Sequence, residues 1–179
     1  LFGHIGLLES YFDQEVDIKG DFNALFRASY DSDFSQPGPL VRIRNAWHER
    51  RFSNRTLQQA KANARAHYGL PREFFRYWLD DPTMTYTCAY WKEGTQTIEQ
   101  AQRNKLEHVC RKLRLQPGER VVDIGCGWGG LMYHAQREYR VDVTGINATT
   151  EQVEDLRGDI ERDGLGDYMR VTEADHREV

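Results

Sequence analysis

Cysteine is scarce and unpaired. Cys88, Cys110 and Cys126 are the only three in 179 residues, and no two stand in a CxxC spacing. An odd count without a pairing pattern excludes a disulfide-framed miniprotein and makes a reducing, cytoplasmic setting the expectation. Long apolar runs are absent too, since no window approaches the roughly 18 residues of a membrane helix. The opening LFGHIGLLES has neither a basic stretch nor a small-residue cleavage site, so no export signal is read there. His4, His48, His67, His108 and His134 show no HxH or HExxH spacing, and no metal site is expected. Internal repeats are missing, and the one low-complexity hint is QPGP at 36–39, read as a turn.

What is present suffices for one core and a small second lobe, with 39% hydrophobic and 29% charged residues. The chain starts at Leu1 rather than Met, and a piece of a longer protein is expected. Charge is laid out in blocks. Residues 1–40 carry seven acids against Lys19 and Arg27, a balance of −5. Residues 41–72 carry eight basic residues against Glu49 alone, a balance of +7, with Trp47 and Phe52 interleaved. Such a stripe suits an anionic surface, either lipid headgroups or nucleic-acid phosphates, or it is a solvated helix face.

Periodicity predicts a helix over 54–68 with Asn54 as N-cap, a short helix REFFRYWL opened by Pro71, and a helix over 97–113. In the last, Thr97 and Gln100 form a capping box, and Ile98, Ala101, Val109, Cys110 and Leu113 share a face. After LQPGER the period changes. VVDIG reads as a buried parallel strand, WGGLMYHAQREY as a helix, VDVTGIN as a strand, TTEQVEDLRGDIERDG as a helix and DYMRVTEA as a third strand. This alternation is the opening of a Rossmann-like α/β sheet. Only 61 residues follow Gly118, whereas a doubly wound sheet has about six strands, so half the sheet is expected to be missing.

The chemistry concentrates at VVDIGCGWGG, 121–130, where Gly125, Gly127 and Gly129 stand between strand and helix. Glycine permits the tight turn and lets an adenosine-bearing cofactor lie over the strand end. In a dinucleotide site the ribose-binding acid follows at the end of the second strand, roughly 20 residues past the glycines. Here that strand ends GINATT with no acid before Glu151, and Asp123 precedes the glycines. The pattern therefore favours S-adenosylmethionine over NAD. Asp123 reads either as a ligand contact or as a cap on the glycine loop.

DIGCGWGG (123–130) resembles motif I of the cyclopropane fatty acid synthase family, which also contains mycolic acid cyclopropane synthases and related lipid methyltransferases. HYGLPREFF (67–75) resembles that family's HYDLGNDFF, and LDDPTMTYTCAYW (79–91) its LDPTMTYSCAYW. TIEQAQRNK (97–105) is similar to its TLEEAQ-type helix, LQPG (115–118) to the turn before the first strand, and GLLESYFD (6–13) to the GLGESYMDG of the N-terminal lobe. The resemblance implies a class I methyltransferase fold, incomplete in this chain, preceded by a smaller, mainly helical lobe. It divides the chain into a lipid-docking lobe, 1–72, and a cofactor-binding domain, 73–179.

By the same resemblance Tyr86 and Thr87 contact the methionine end of S-adenosylmethionine, while Gly125, Cys126, Gly127 and Gly129 line its ribose and carboxylate side. Asn147, Ala148 and Gln152 align with a segment that holds the ribose and adenine, though Asn147 and Ala148 depart from the family's Thr-Leu. Asp175 and His176 stand where the family flanks the adenine. Cys88 matches a cysteine beside a bound bicarbonate that acts as general base, which makes it a pocket residue rather than a nucleophile. Its other reading is a buried small hydrophobe. Gly69 and Pro71 replace the Asp and Gly of HYDLGN.

The implied reaction alkylates the double bond of unsaturated phospholipid acyl chains by an enzyme peripherally associated with an anionic membrane. Phe74, Phe75, Tyr77, Trp78, Tyr86, Tyr90 and Trp91 are candidates to stabilise cationic character there, or form an aromatic core between lobes. A ring and a methyl branch remain alternative products. A cofactor-binding but inactive module is a second reading. A nucleic-acid methyltransferase is a third, against which stands the lack of an Asn-Pro-Pro-Tyr-type motif, and no nucleic-acid partner is expected. A homodimer is compatible with the sequence.

Overall fold

The structure, a computed structural model, describes residues 3–31 and 38–179. The chain forms two compact units, Leu1–Ser53 and Asn54–Val179. In the first, helices α1 (Gly3–Phe12), α2 (Phe22–Asp31) and α3 (Pro39–Phe52) follow one another. Asp21 caps α2, its Oδ1 accepting from the Asn23 N–H at 2.9 Å. Pro39 opens α3 directly after Gly38, where its missing N–H costs nothing. Gln36 and Pro37 of the expected QPGP turn lie outside the described residues.

The second unit runs α4 (Leu57–Tyr68), α5 (Arg72–Phe75), α6 (Ile98–Leu113), β1 (Arg120–Ile124), α7 (Gly130–Tyr139), β2 (Asp142–Asn147), α8 (Thr150–Arg162), β3 (Met169–Glu173) and a 3₁₀ turn, His176–Glu178. The strands form one parallel sheet in the order β1-β2-β3, with Val122 opposite Thr144 and Thr144 opposite Arg170. Val143 of β2 and Met169 and Val171 of β3 meet Met132 and Ala135 from α7 and Val153, Leu156 and Ile160 from α8 in the main core. The spacing of the α8 residues places them on one helical stripe. Each such aliphatic side chain contributes about 1.5–3 kcal/mol on burial. Gly145 in β2 admits α7, because a Cβ there would lie 2.6 Å from Met132 Sδ and 2.7 Å from Cys126 Sγ.

Several expectations are revised. The compact units divide after Ser53, and α4 belongs to the second, where Lys61 pairs with Glu173 at the end of β3 and Arg65 with Glu151 of α8. Thr56, not Asn54, caps α4, accepting from Gln59 N, while Asn54 Oδ1 accepts from Asn63 Nδ2 instead. Thr97 does cap α6, but Gln100 reaches back to the N–H of Gln96 rather than closing the box on Thr97. Ala101, Gln102, Leu106 and Cys110 are the buried residues of that helix, and Ile98 and Leu113 are exposed. Helix α5 ends at Phe75, and Trp78 and Leu79 continue as turns closed on its carbonyl. β1 is not buried on both faces, since Val122 and Ile124 are exposed beyond the layers that α6–α8 supply. Among the described residues no helix is long and apolar enough to cross a membrane.

Candidate functional site

The chain leaves β1 through three residues with left-handed backbone: Gly125 at φ +80°, Gly127 at +56° and Gly129 at +81°. Gly125 N–H donates to the Ile146 carbonyl at 2.8 Å, which pins the turn to the end of β2. Around Gly125 and Gly127 the Cβ directions point into open space. The following pair is tight instead, because a Cβ on Gly129 would meet Leu156 Cδ1 at 2.5 Å and one on Gly130 the Thr83 carbonyl at 2.6 Å. The loop thus has a ligand-facing half and a packing half. No side chain caps α7, so the first-turn N–H groups stay available at the loop.

A cavity of about 420 Å³ opens over this loop, lined by Tyr86, Thr87, Asp123, Gly125, Cys126, Gly127, Asn147 and Gln152 of the expected residues. Burial raises the Asp123 pKa from its ordinary value. Asn147 Nδ2 donates to Gln152 Oε1 at 2.7 Å, both side chains being buried. The wall formed by residues 80–87 is organised by buried Asp80, which accepts from the Thr83 N–H and hydroxyl and from the Thr85 N–H. Gln102 Nε2 donates to the Thr85 and Thr87 carbonyls at 3.2 and 3.0 Å and fastens this wall to α6. Phe75, Met84 and Trp128 form a small core behind it, with Trp128 Nε1 donating to Asp155.

Other expected residues are elsewhere. Ala148 and Asp175 line a separate cavity of about 210 Å³ with Leu57, Lys61 and Glu173. Asp175 is occupied by Arg177, which holds its carboxyl far below the usual range. His176 is exposed beside Asp175 and lines neither cavity. Gly129 acts through packing rather than lining. Cys88 is exposed, so it is not a buried hydrophobe, and it stands near Lys105 of the main lining without being part of either lining. Of the seven candidate aromatics only Tyr86 lines the main cavity. Phe75 belongs to the core behind it, and Tyr77 faces solvent.

Sequence reasoning missed Tyr68, Gln102, Lys105 and Gly130. The i, i+3 spacing of Gln102 and Lys105 on the helix over 97–113 is the signal that points to them. The basic segment also divides. Lys61, Arg65 and Arg72 pair with Glu173, Glu151 and Asp159, and Arg42, Arg44, Arg50 and Arg51 are carried on α3.

A family model described as "Mycolic acid cyclopropane synthetase" matches residues 55–179. The chain is 42% identical over 113 residues to a "Probable fatty acid methyltransferase" of Pseudomonas putida, covering 63% of this chain and 28% of that protein. It is 39% identical over 154 residues to the "Cyclopropane-fatty-acyl-phospholipid synthase" of Escherichia coli K12, covering 84% and 39%. Among solved structures, mycolic acid cyclopropane synthase CmaA1 complexed with SAH and CTAB superposes with a TM-score of 0.63 at 37% identity, covering 66% of this chain and 41% of that one. The chain therefore spans well under half the length of each of these relatives, and its three-stranded parallel sheet is a partial class I methyltransferase fold.

Proposed function

The chain belongs to the mycolic acid cyclopropane synthetase family, and from that premise we propose that it is the cofactor-binding part of an enzyme that alkylates the double bond of unsaturated acyl chains in phospholipids. The observation that carries the reading is the cavity over the glycine loop, which brings Tyr86, Thr87, Asp123, Asn147 and Gln152 to one place. Its residues fit S-adenosylmethionine. Space beside Gly125 and Gly127 admits a ligand against bare backbone, and the buried amide pair Asn147–Gln152 keeps Asn147 Oδ1 and Gln152 Nε2 for ribose hydroxyls or adenine nitrogens. When bound, the cofactor supplies an electrophilic sulfonium methyl group.

The protein's residues then orient and exclude. Trp128 and Phe75, with ring centroids 4.9 Å apart, hold the Tyr86 segment against the glycine loop and keep that side of the cavity dry. A bicarbonate base is the anion that the resemblance associates with Cys88. Cys88 is exposed near Lys105, and no step is routed through a bicarbonate there.

The phospholipid form of the substrate is supported by the name of the Escherichia coli relative. Contact with an anionic membrane is supported by α3, where Leu40, Ile43 and Trp47 are 82%, 68% and 59% exposed along one stripe beside Arg44 and Arg51. Exposed apolar side chains interspersed with arginines suit the headgroup boundary. Replacing the three apolar residues by Gln is expected to abolish sedimentation with phosphatidylglycerol vesicles, and unchanged sedimentation would remove α3 from the membrane contact.

Cells expressing the protein and fed methyl-labelled methionine test the activity. Monounsaturated phospholipid chains heavier by one labelled CH₂, lost with Asp123→Ala, are expected. Absence of labelled lipid with intact cofactor binding would point to another methyl acceptor or an inactive module.

A further inference from the structure

We propose that Lys105 is the counter-charge for the carboxylate of the cofactor's amino-acid tail, an inference that rests on the cofactor reading above. Among the residues lining the main cavity Lys105 is the one lysine or arginine, and Asp123 the one acid. Lys105 stands one helical turn after Gln102 on α6, and Gln102 holds the backbone of Thr85 and Thr87. Thr87 and Lys105 are therefore placed by the same helix face. Lys105 Nζ donates to Thr87 Oγ1 at 2.7 Å.

That contact is incomplete for a cation. An ammonium has three donors, and Thr87 takes one. Among the described residues the Lys105 ammonium is bonded to a neutral hydroxyl rather than paired with a carboxylate. The Asp80 carboxylate and the Cys88 thiol lie close enough to favour the Lys105 charge, while the hydrogen bonds of Asp80 go to Thr83 and Thr85. Desolvation lowers the Lys105 pKa, which marks a cation short of solvation. An anion at Nζ relieves that cost. Because Thr87 Oγ1 accepts from Nζ, its own proton remains to be donated to the same anion, giving two donors that suit the two oxygens of a carboxylate.

S-Adenosylmethionine has one anionic group. Its sulfonium and amino group are cationic, and its hydroxyls and adenine are neutral, matching the amides of Asn147 and Gln152. A lysine directed at the sulfonium or the amino group would oppose the ligand by like-charge repulsion, whereas the carboxylate is its one group of opposite charge.

Calorimetric titration of the full chain with S-adenosylhomocysteine and with 5′-methylthioadenosine, which lacks the amino-acid carboxylate, tests the assignment without turnover. Lys105→Met is expected to weaken S-adenosylhomocysteine by about 10- to 100-fold, as for loss of a charge-assisted hydrogen bond. Methylthioadenosine binding should stay the same, and Lys105→Arg should recover part of the loss. Should Lys105→Met lose both ligands with a lowered unfolding midpoint, Lys105→Gln is read by the same comparison. Equal affinity in the variant, or equal loss for both ligands in a folded variant, overturns the assignment. A small free anion such as bicarbonate as the true occupant gives that first result. If the unsubstituted chain binds neither ligand, the cofactor reading itself fails.

Discussion

Asn147 Nδ2 donates to Gln152 Oε1 at 2.7 Å, joining the last residue of β2 to the first turn of α8 in the wall of the cavity. The pair lets two amides be buried beside a ligand site before any ligand arrives. Gln152→Leu keeps the volume but strands the Asn147 donor, and is expected to cost about 1–3 kcal/mol in urea denaturation. It should also weaken S-adenosylhomocysteine binding. A variant as stable as its parent would mean that solvent satisfies Asn147 in the open cavity.

This pair also shows how far the sequence could be read. Asn147 and Gln152 could be named from the family resemblance, and the strand, turn and helix that carry them follow local rules with little freedom. The same holds for β1–β3, α7 and α8, where β-branched runs and helical stripes announce themselves. What local rules could not supply was partner choice across the chain. Lys61 and Arg65 look like surface charge until Glu173 and Glu151, about a hundred residues away, are brought beside them. Cys88 follows a motif into the neighbourhood of the cavity, yet it is exposed, because the surroundings of the irregular segment after Thr87 are set by tertiary contacts.

The two halves of the glycine loop should respond differently to a methyl group. Gly127→Ala meets open space but must hold φ near +56°, a strain of about 1–2 kcal/mol. Gly130→Ala meets the Thr83 backbone carbonyl at 2.6 Å and must displace the 80–87 wall, at about 1–3 kcal/mol. Denaturation midpoints should fall in both. The aromatic signal of Trp128 in near-ultraviolet circular dichroism should change only in Gly130→Ala, and an unchanged signal there would show that the wall yields without repacking.

Asp123 should trade stability for binding. Burial raises its folded-state pKa, so between the ordinary carboxylate range and that raised value the folded chain holds more protons than the unfolded one. The stability associated with the protonated form is fully present below the unfolded pKa and is lost as pH rises through the folded one. Asp123→Asn is therefore expected to be more stable than the parent at neutral pH, with the difference vanishing in acid, while S-adenosylhomocysteine binds less tightly. Parallel pH series of urea midpoints would reveal it, and a variant destabilised at pH 7 would show that the ionised carboxylate holds the loop.

The three cysteines should separate by reactivity, since only a thiolate alkylates. Burial pushes Cys126 up to about 12 and Cys110 up to about 11, which leaves almost no thiolate at pH 8. Cys88 is exposed. Iodoacetamide at pH 8 is expected to modify Cys88 alone in the native chain and all three in denaturant, as read by peptide mass spectrometry. Cys88 stands near Lys105 though outside the cavity lining, so saturating S-adenosylhomocysteine should slow its modification modestly through the carboxylate assigned to that lysine. Strong protection by the ligand would instead bring the thiol to the cofactor, and would restore the pocket role that the family resemblance implied.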